Sequence, residues 1–175
     1  EPVTVAAIRA QAADATLASP ERIHQELLGI LLSPRPASGF RLLHKTGLLH
    51  TLLPEVTAME GVSQPPDFHP EGDVWTHTLL MLEHMGHHTH PHDPLHSKSN
   101  GCPARQGAPL PGPSPELALA VLLHDVGKPP TFRVADRIRF DRHCEVGVAL
   151  VQVIAARYRW PGTQTERVCA LVQDH

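Results

Sequence analysis

The 175-residue chain has few aromatic residues, 4%, and only three cysteines. Cys102, Cys144 and Cys169 are far apart and form no Cys-x-x-Cys pair. That argues against a disulfide framework or a zinc ribbon, and for free thiols in a reducing compartment. No apolar run approaches the ~18 residues of a membrane span. The N-terminus, Glu1-Pro2-Val3-Thr4, lacks a basic flank and an apolar h-region, so no signal peptide and a cytoplasmic location are expected. An initiating methionine is also missing, and the chain reads as a processed or trimmed piece. A net charge of −3 with histidine neutral argues against a globally basic nucleic-acid binder, though not against a local patch. No Ser- or Cys-centred nucleophile motif is present, which sets acyl transfer aside.

The chain is 41% apolar and 19% charged, with 14 histidines. Its length suits one domain, or one and a half, with a real core. Helical spacing dominates. Val3 to Leu17 reads as one helix. Ser19-Pro20-Glu21 starts another, with Ser as N-cap and Pro at the first position, running to Leu32. Ser33-Pro34-Arg35-Pro36 breaks it. Short helices follow around Phe40 to Leu43 and Leu48 to Leu53, with a turn at Glu55 to Met59. Gln64 to Pro70 is a proline-rich crossing loop. Asp73 caps a helix to about Met85, whose inward face is read as Val74, His77, Thr78, Met81 and Met85. Residues 86–113 carry Pro, Gly, Ser and His with almost no apolar side chain and are expected to form a long flexible loop. The histidines from His84 to His96 are read as binding transition metals adventitiously, not as a catalytic site.

Ser114-Pro115-Glu116 repeats the start signal. Leu117 to Val126 is nearly all apolar and predicts a buried helix, stopped by Gly127 and Pro129-Pro130. Thr131 to Arg142 is irregular or a small hairpin. With Lys128 it has five basic and two acidic residues. Cys144 to Tyr158 predicts a helix on length, although its Val and Ile would suit a buried strand. Thr163-Gln164-Thr165-Glu166 reads as a capping box for the last helix. The fold class is all-α.

Four side chains stand out: His77, the adjacent His124 and Asp125, and Asp174 near the chain end. Neighbours on a helix point about 100° apart, so His124 and Asp125 do not hide in one core by accident. Both can reach one ion at a helix end. Singly, each residue has a bland reading as a hydrogen-bonded core polar group; together, in this order, they form a metal-ligand set. Imidazole plus carboxylate suits one divalent ion (Ni, Mn, Mg, Co, Fe or Zn). Such an ion makes hydroxide available near neutral pH and polarises a phosphoryl oxygen. Asp125 is also a candidate to orient the attacking water. Lys128, Arg139 and His143 are candidate phosphate contacts, and Lys128 and His143 candidate catalytic groups.

The pattern His77…His124-Asp125…Asp174 resembles the HD superfamily of metal-dependent phosphohydrolases. Longer strings resemble bacterial tRNA nucleotidyltransferases, the CCA-adding and poly(A) polymerase relatives. These are Ser33-Pro34-Arg35-Pro36, Gln64-Pro65-Pro66, and His69-Pro70-Glu71-Gly72-Asp73-Val74-Trp75-Thr76-His77-Thr78. They continue with Leu123-His124-Asp125-Val126-Gly127-Lys128-Pro129-Pro130-Thr131-Phe132 and Arg142-His143-Cys144-Glu145-Val146-Gly147. The resemblance implies a small helical neck over residues 1–60, RNA-binding-like, and an HD helical bundle over 61–175. The family's transfer chemistry sits in a head with a Gly-rich loop and paired Asp. Neither Gly-Gly nor Asp-x-Asp occurs here, so nucleotidyl transfer is not expected. The implied activity is hydrolysis of small nucleotide phosphoesters such as 2′,3′-cyclic nucleotides or 2′-nucleotides. The alternative is a non-catalytic neck and HD module that braces or binds tRNA within a larger enzyme. The chain is expected to be either a fragment of such an enzyme or a free-standing HD protein.

Overall fold

A computed structural model describes residues 2–89 and 112–175. These form ten α-helices and one two-stranded ribbon, as the all-α reading expects. Helix α1 (Pro2–Ala10) passes into a 3-10 turn, Ala12–Leu17. In α2 (Pro20–Leu31) the Ser19 hydroxyl accepts from the Arg22 amide, and Ile23, Leu27 and Leu31 turn inward. Next come α3 (Pro36–Lys45), α4 (Leu48–Leu52) and α5 (Pro54–Thr57). Gly47 opens α4 with φ 80, a backbone that side-chain-bearing residues rarely adopt.

Helix α6 (Val74–Thr89) starts where Asp73 Oδ1 accepts from the Thr76 amide at 2.8 Å. Its buried stripe is Val74, Trp75, Thr78, Leu79 and Leu82, whereas Met81 is exposed. The expected face is therefore rotated, because Trp75 and Leu79 offer more apolar surface to the core. His77 lies at the edge of that stripe. The expected loop 86–113 falls largely outside the described residues, as do Cys102 and most of the histidine-rich stretch. Where the two overlap, α6 runs past Gly86 to Thr89. A Cβ at Gly86 would lie 2.9 Å from the Pro34 carbonyl and the Pro36 ring, so this glycine serves packing rather than stopping the helix.

Helix α7 (Pro115–Leu123) is capped by Ser114, whose hydroxyl accepts from the Leu117 amide. It packs against α2, α6 and the last helix, α10 (Gly162–Gln173). The chain then makes a turn at residues 124–127 and a further helical turn, α8 (Lys128–Thr131). Pro129 and Pro130 do not end the structure as expected; they occupy a first turn, where no amide donor is needed. Strands β1 (Arg133–Val134) and β2 (Ile138–Arg139) form an antiparallel hairpin. It feeds α9 (His143–Arg157), a helix as length predicted. The capping box at Thr163 does not form. Pro161 is the N-cap of α10, and the Thr165 hydroxyl donates to its carbonyl.

One hydrophobic cluster runs through the described residues, from Ile23 and Leu27 through Phe40, Met59, Leu82, Leu122 and Ile154 to Val168 and Val172. Buried groups tie its two ends. His24 donates through Nε2 to Gln164 Oε1 at 2.8 Å, and the Tyr158 hydroxyl donates to the Leu52 carbonyl.

Candidate metal centre

The turn after α7 holds Asp125, 1% exposed. Its Oδ2 accepts from Lys128 Nζ at 2.8 Å and lies 3.2 Å from His124 Nε2. Its Oδ1 is buried with no hydrogen-bond partner, and stands 3.4 Å from His175 Nε2 and 3.9 Å from His143 Nε2. Burial alone would raise the Asp125 carboxyl. The adjacent imidazoles of His124 and His175 and the Lys128 charge outweigh burial, and it is held well below the usual carboxylate range.

The surrounding imidazoles share one hydrogen-bonding arrangement. His124, His143 and His175 each place Nδ1 2.8 to 2.9 Å from a backbone carbonyl three residues earlier, that of Val121, Phe140 and Val172. A carbonyl only accepts, so each Nδ1 carries the hydrogen and each neutral ring keeps its Nε2 lone pair. His77 places Nδ1 2.6 Å from Glu71 Oε1. These rings thus leave Nε2 available beside one carboxylate, the arrangement that metal-binding histidines adopt; the Cys144 sulfur also lies 3.7 Å from His143 Nε2. His77, His124 and Asp125 bring ligand atoms within 4.8 Å of one another. The residues present fit a divalent cation, and the orphaned Oδ1 has need of one.

Neighbouring groups set the charge balance. Burial lowers His77 and His143 below the ordinary imidazole range, partly opposed by Glu71 and by the Phe140 carbonyl respectively. The Asp125 contact raises His175. Glu71 accepts from His69 and His77 and is lowered to about 2. Gly127 lets the turn touch α9: a Cβ there would lie 2.0 Å from the His143 carbonyl oxygen and 2.6 Å from the Gly147 amide.

A sequence model described as "HD domain" matches residues 74–175. The chain belongs to the HD-domain family. A second model, described as "Probable RNA and SrmB- binding site of polymerase A", matches residues 1–60. The HD domain and the segment before it are similar to part of several curated proteins. A CC-adding tRNA nucleotidyltransferase of Thermus thermophilus is 36% identical over 94% of this chain and 33% of its own length. Multifunctional CCA proteins of Alkalilimnicola ehrlichii and Burkholderia mallei are 35% and 30% identical, over 91% and 99% of this chain and 33% and 37% of theirs. The chain therefore spans about a third of the length of these relatives. No helix among the described residues is long and apolar enough to cross a membrane.

Within the HD domain the expected residues are distributed unevenly. His77, His124 and Asp125 converge, and His143 joins them from α9. Asp174 is the exposed C-cap of α10, and from the same helix end His175 Nε2 lies 3.4 Å from Asp125 Oδ1. Lys128 Nζ does not face an open cleft; it is bonded to Asp125 and to Gln64 Oε1 at 2.7 Å, and is buried. Arg139 lies on β2 with Nη2 2.9 Å from Asp136 Oδ1, and Arg133 pairs with Asp141 at 2.6 Å. Much of the hairpin's positive charge is thus met locally. Sequence reasoning missed His175, Glu71 and Gln64. His175 was findable: Val168, Val172 and His175 follow i, i+4, i+7, while Asp174 shares its side with Leu171, 41% exposed. Gln64 and Glu71 lie in residues 61–73, between the two family matches, where no periodic pattern flags them.

Proposed function

We propose that this chain is a metal-dependent phosphohydrolase acting on small nucleotide phosphoesters, of the 2′,3′-cyclic phosphodiesterase, nucleotidase or phosphatase type. The observation that carries this reading is Asp125, a buried carboxylate with an orphaned oxygen, ringed by imidazoles whose Nδ1 hydrogens are already committed. His77, His124 and Asp125 would hold one divalent ion. The fourth ligand is sought at the end of α10, where Asp174 was expected and His175 stands nearer. A bound ion supplies a water of lowered pKa and a positive charge beside a phosphoryl oxygen.

The chain's own residues do the rest. Asp125, fixed by Lys128, orients the attacking water through whichever oxygen is free of the ion. Lys128 offsets the buried negative charge of Asp125 before an ion is bound, so a divalent ion would leave the site net positive, which suits an anionic phosphoester. His143 Nε2 opens toward the same space and can hold a proton for the leaving oxygen. Arg139 precedes Phe140, whose ring centroid lies 5.3 Å from Lys128 Nζ. It is the proposed contact for non-reacting phosphate oxygens, which would compete with Asp136 for its guanidinium.

The test is bound-metal analysis with phosphatase and cyclic phosphodiesterase assays on nucleotides, using wild type and His124→Ala. Metal-dependent turnover lost in the variant is expected; equal turnover in both overturns the reading. A second reading is favoured by the RNA-binding match over residues 1–60: the neck contacts tRNA. A tRNA titration against salt tests it, and absence of affinity at low salt would remove it.

A further inference from the structure

Residues 61–73 form a closed loop beside the metal centre. Asp73 Oδ2 accepts from the Gly61 amide at 2.6 Å, and the Val74 amide donates to the Val62 carbonyl at 3.1 Å. The loop base and the start of α6 are thus one unit. From inside that loop two side chains reach the site. Gln64 meets Lys128. Glu71 Oε1 accepts from His77 Nδ1 at 2.6 Å and from His69 Nδ1 at 3.0 Å.

His77 differs from the other three imidazoles in how it is held. Theirs are fixed by a carbonyl three residues back. For His77 that carbonyl belongs to Val74, which already accepts from the Thr78 hydroxyl at 2.9 Å. Position four of α6 therefore needs an acceptor from outside the helix, and Glu71 is there. We infer that Glu71 is the positioning residue of His77: its carboxylate holds the Nδ1–H tautomer and turns Nε2 toward Asp125. An ionised acceptor also raises the basicity of the far nitrogen, which a carbonyl does less strongly. The inference rests on the metal reading of the site for its purpose, though not for its geometry.

Two measurements test it on the whole chain. In the metal-free protein, ¹⁵N-edited long-range spectra report the His77 tautomer. Wild type and Glu71→Gln, whose amide oxygen accepts the same hydrogen, should show Nδ1–H; Glu71→Ala should shift toward Nε2–H. In calorimetric titrations with Mn²⁺ or Co²⁺, Glu71→Ala should bind about 10–100-fold more weakly. Glu71→Gln should lose roughly threefold to tenfold, since it keeps the bond without the charge. Glu60→Ala, which removes a carboxylate–imidazole pair to His44 elsewhere, should bind as wild type. An unchanged tautomer in folded Glu71→Ala, or wild-type affinity in Glu71→Gln, overturns the inference; the second readout applies even if Glu71→Ala fails to fold. If wild type binds neither ion, the proposed function fails, while the tautomer measurement still decides the role of Glu71.

Discussion

Replacing Gly127 by alanine should damage fold and site together. The added Cβ would start 2.0 Å from the His143 carbonyl oxygen, whereas ordinary contact begins at 3.4 Å. The 124–127 turn and α9 must therefore separate by roughly 1.4 Å along that contact. Both obstacles, the His143 carbonyl and the Gly147 amide, are backbone, so no rotamer change relieves the clash. Overpacking of this kind costs about 1–3 kcal/mol, and rigid neighbours put the cost at the upper end. For a chain of this size that lowers Tm by up to roughly 12 °C. The same movement separates Asp125 from His143 and disturbs the proposed ligand set, whose distances tolerate about 0.2 Å. Thermal melting and Mn²⁺ calorimetry on Gly127→Ala would measure both effects. Gly29→Ala is the control: nothing lies within 4 Å of its added Cβ, and in mid-helix it should gain about 0.5–1 kcal/mol. A Gly127→Ala protein with wild-type Tm and ion affinity would refute the packing argument.

Three further outcomes are expected. His175→Ala should weaken divalent-ion binding about tenfold or more, and Asp174→Ala should leave it within about twofold; the reverse order would make Asp174 the fourth ligand. Lys128→Met leaves the Asp125 carboxylate buried without its cation, which should cost about 3–5 kcal/mol in urea unfolding; a loss under about 1 kcal/mol would refute the buried pair. Burial lowers His24, with Gln164 partly opposing, so below about pH 6.5 the unfolded chain binds a proton that the native chain refuses. Stability from this group is full above that pH and falls as pH drops, by at most about 1.4 kcal/mol per unit. His24→Gln should flatten the fall of Tm between pH 6.5 and 5, and an unchanged slope would count against it.

Much of this molecule was legible because its signals are local. Ser19 and Ser114, each followed by Pro and Glu, mark helix starts that form as expected. His124 and Asp125 advertise themselves by adjacency at the end of an apolar run. What was misread depends on phase or on distant partners. Met81 fits the helical period, but Trp75 and Leu79 bury more surface and turn the helix toward themselves. Asp174 drew the eye as a carboxylate, yet the phase of Val168 and Val172 brings the His175 ring to Asp125. Lys128 looked like a phosphate clamp because sequence shows its charge and hides Gln64, 64 residues away. Glu71 is invisible to periodicity because it acts from a loop. The Pro129-Pro130 pair shows the ambiguity of proline, which ends a helix in one register and begins one in the next.

Helix α9 joins places that sequence keeps apart. Its first residue, His143, faces Asp125. At and just past its C-terminus, Arg157 pairs with Glu55, the Tyr158 hydroxyl holds the Leu52 carbonyl, and Arg159 pairs with Glu21. Fifteen helical residues span roughly 22 Å and bend little. Tilted about its far end, this rod moves His143 by roughly 0.4 Å for each degree. That is already twice the slack a metal ligand set allows. The position of His143 is therefore tied to contacts on α2, α4 and α5 as well as to the packing of α9 on α8 and α10, and movement at the far end of the helix is felt at the candidate site.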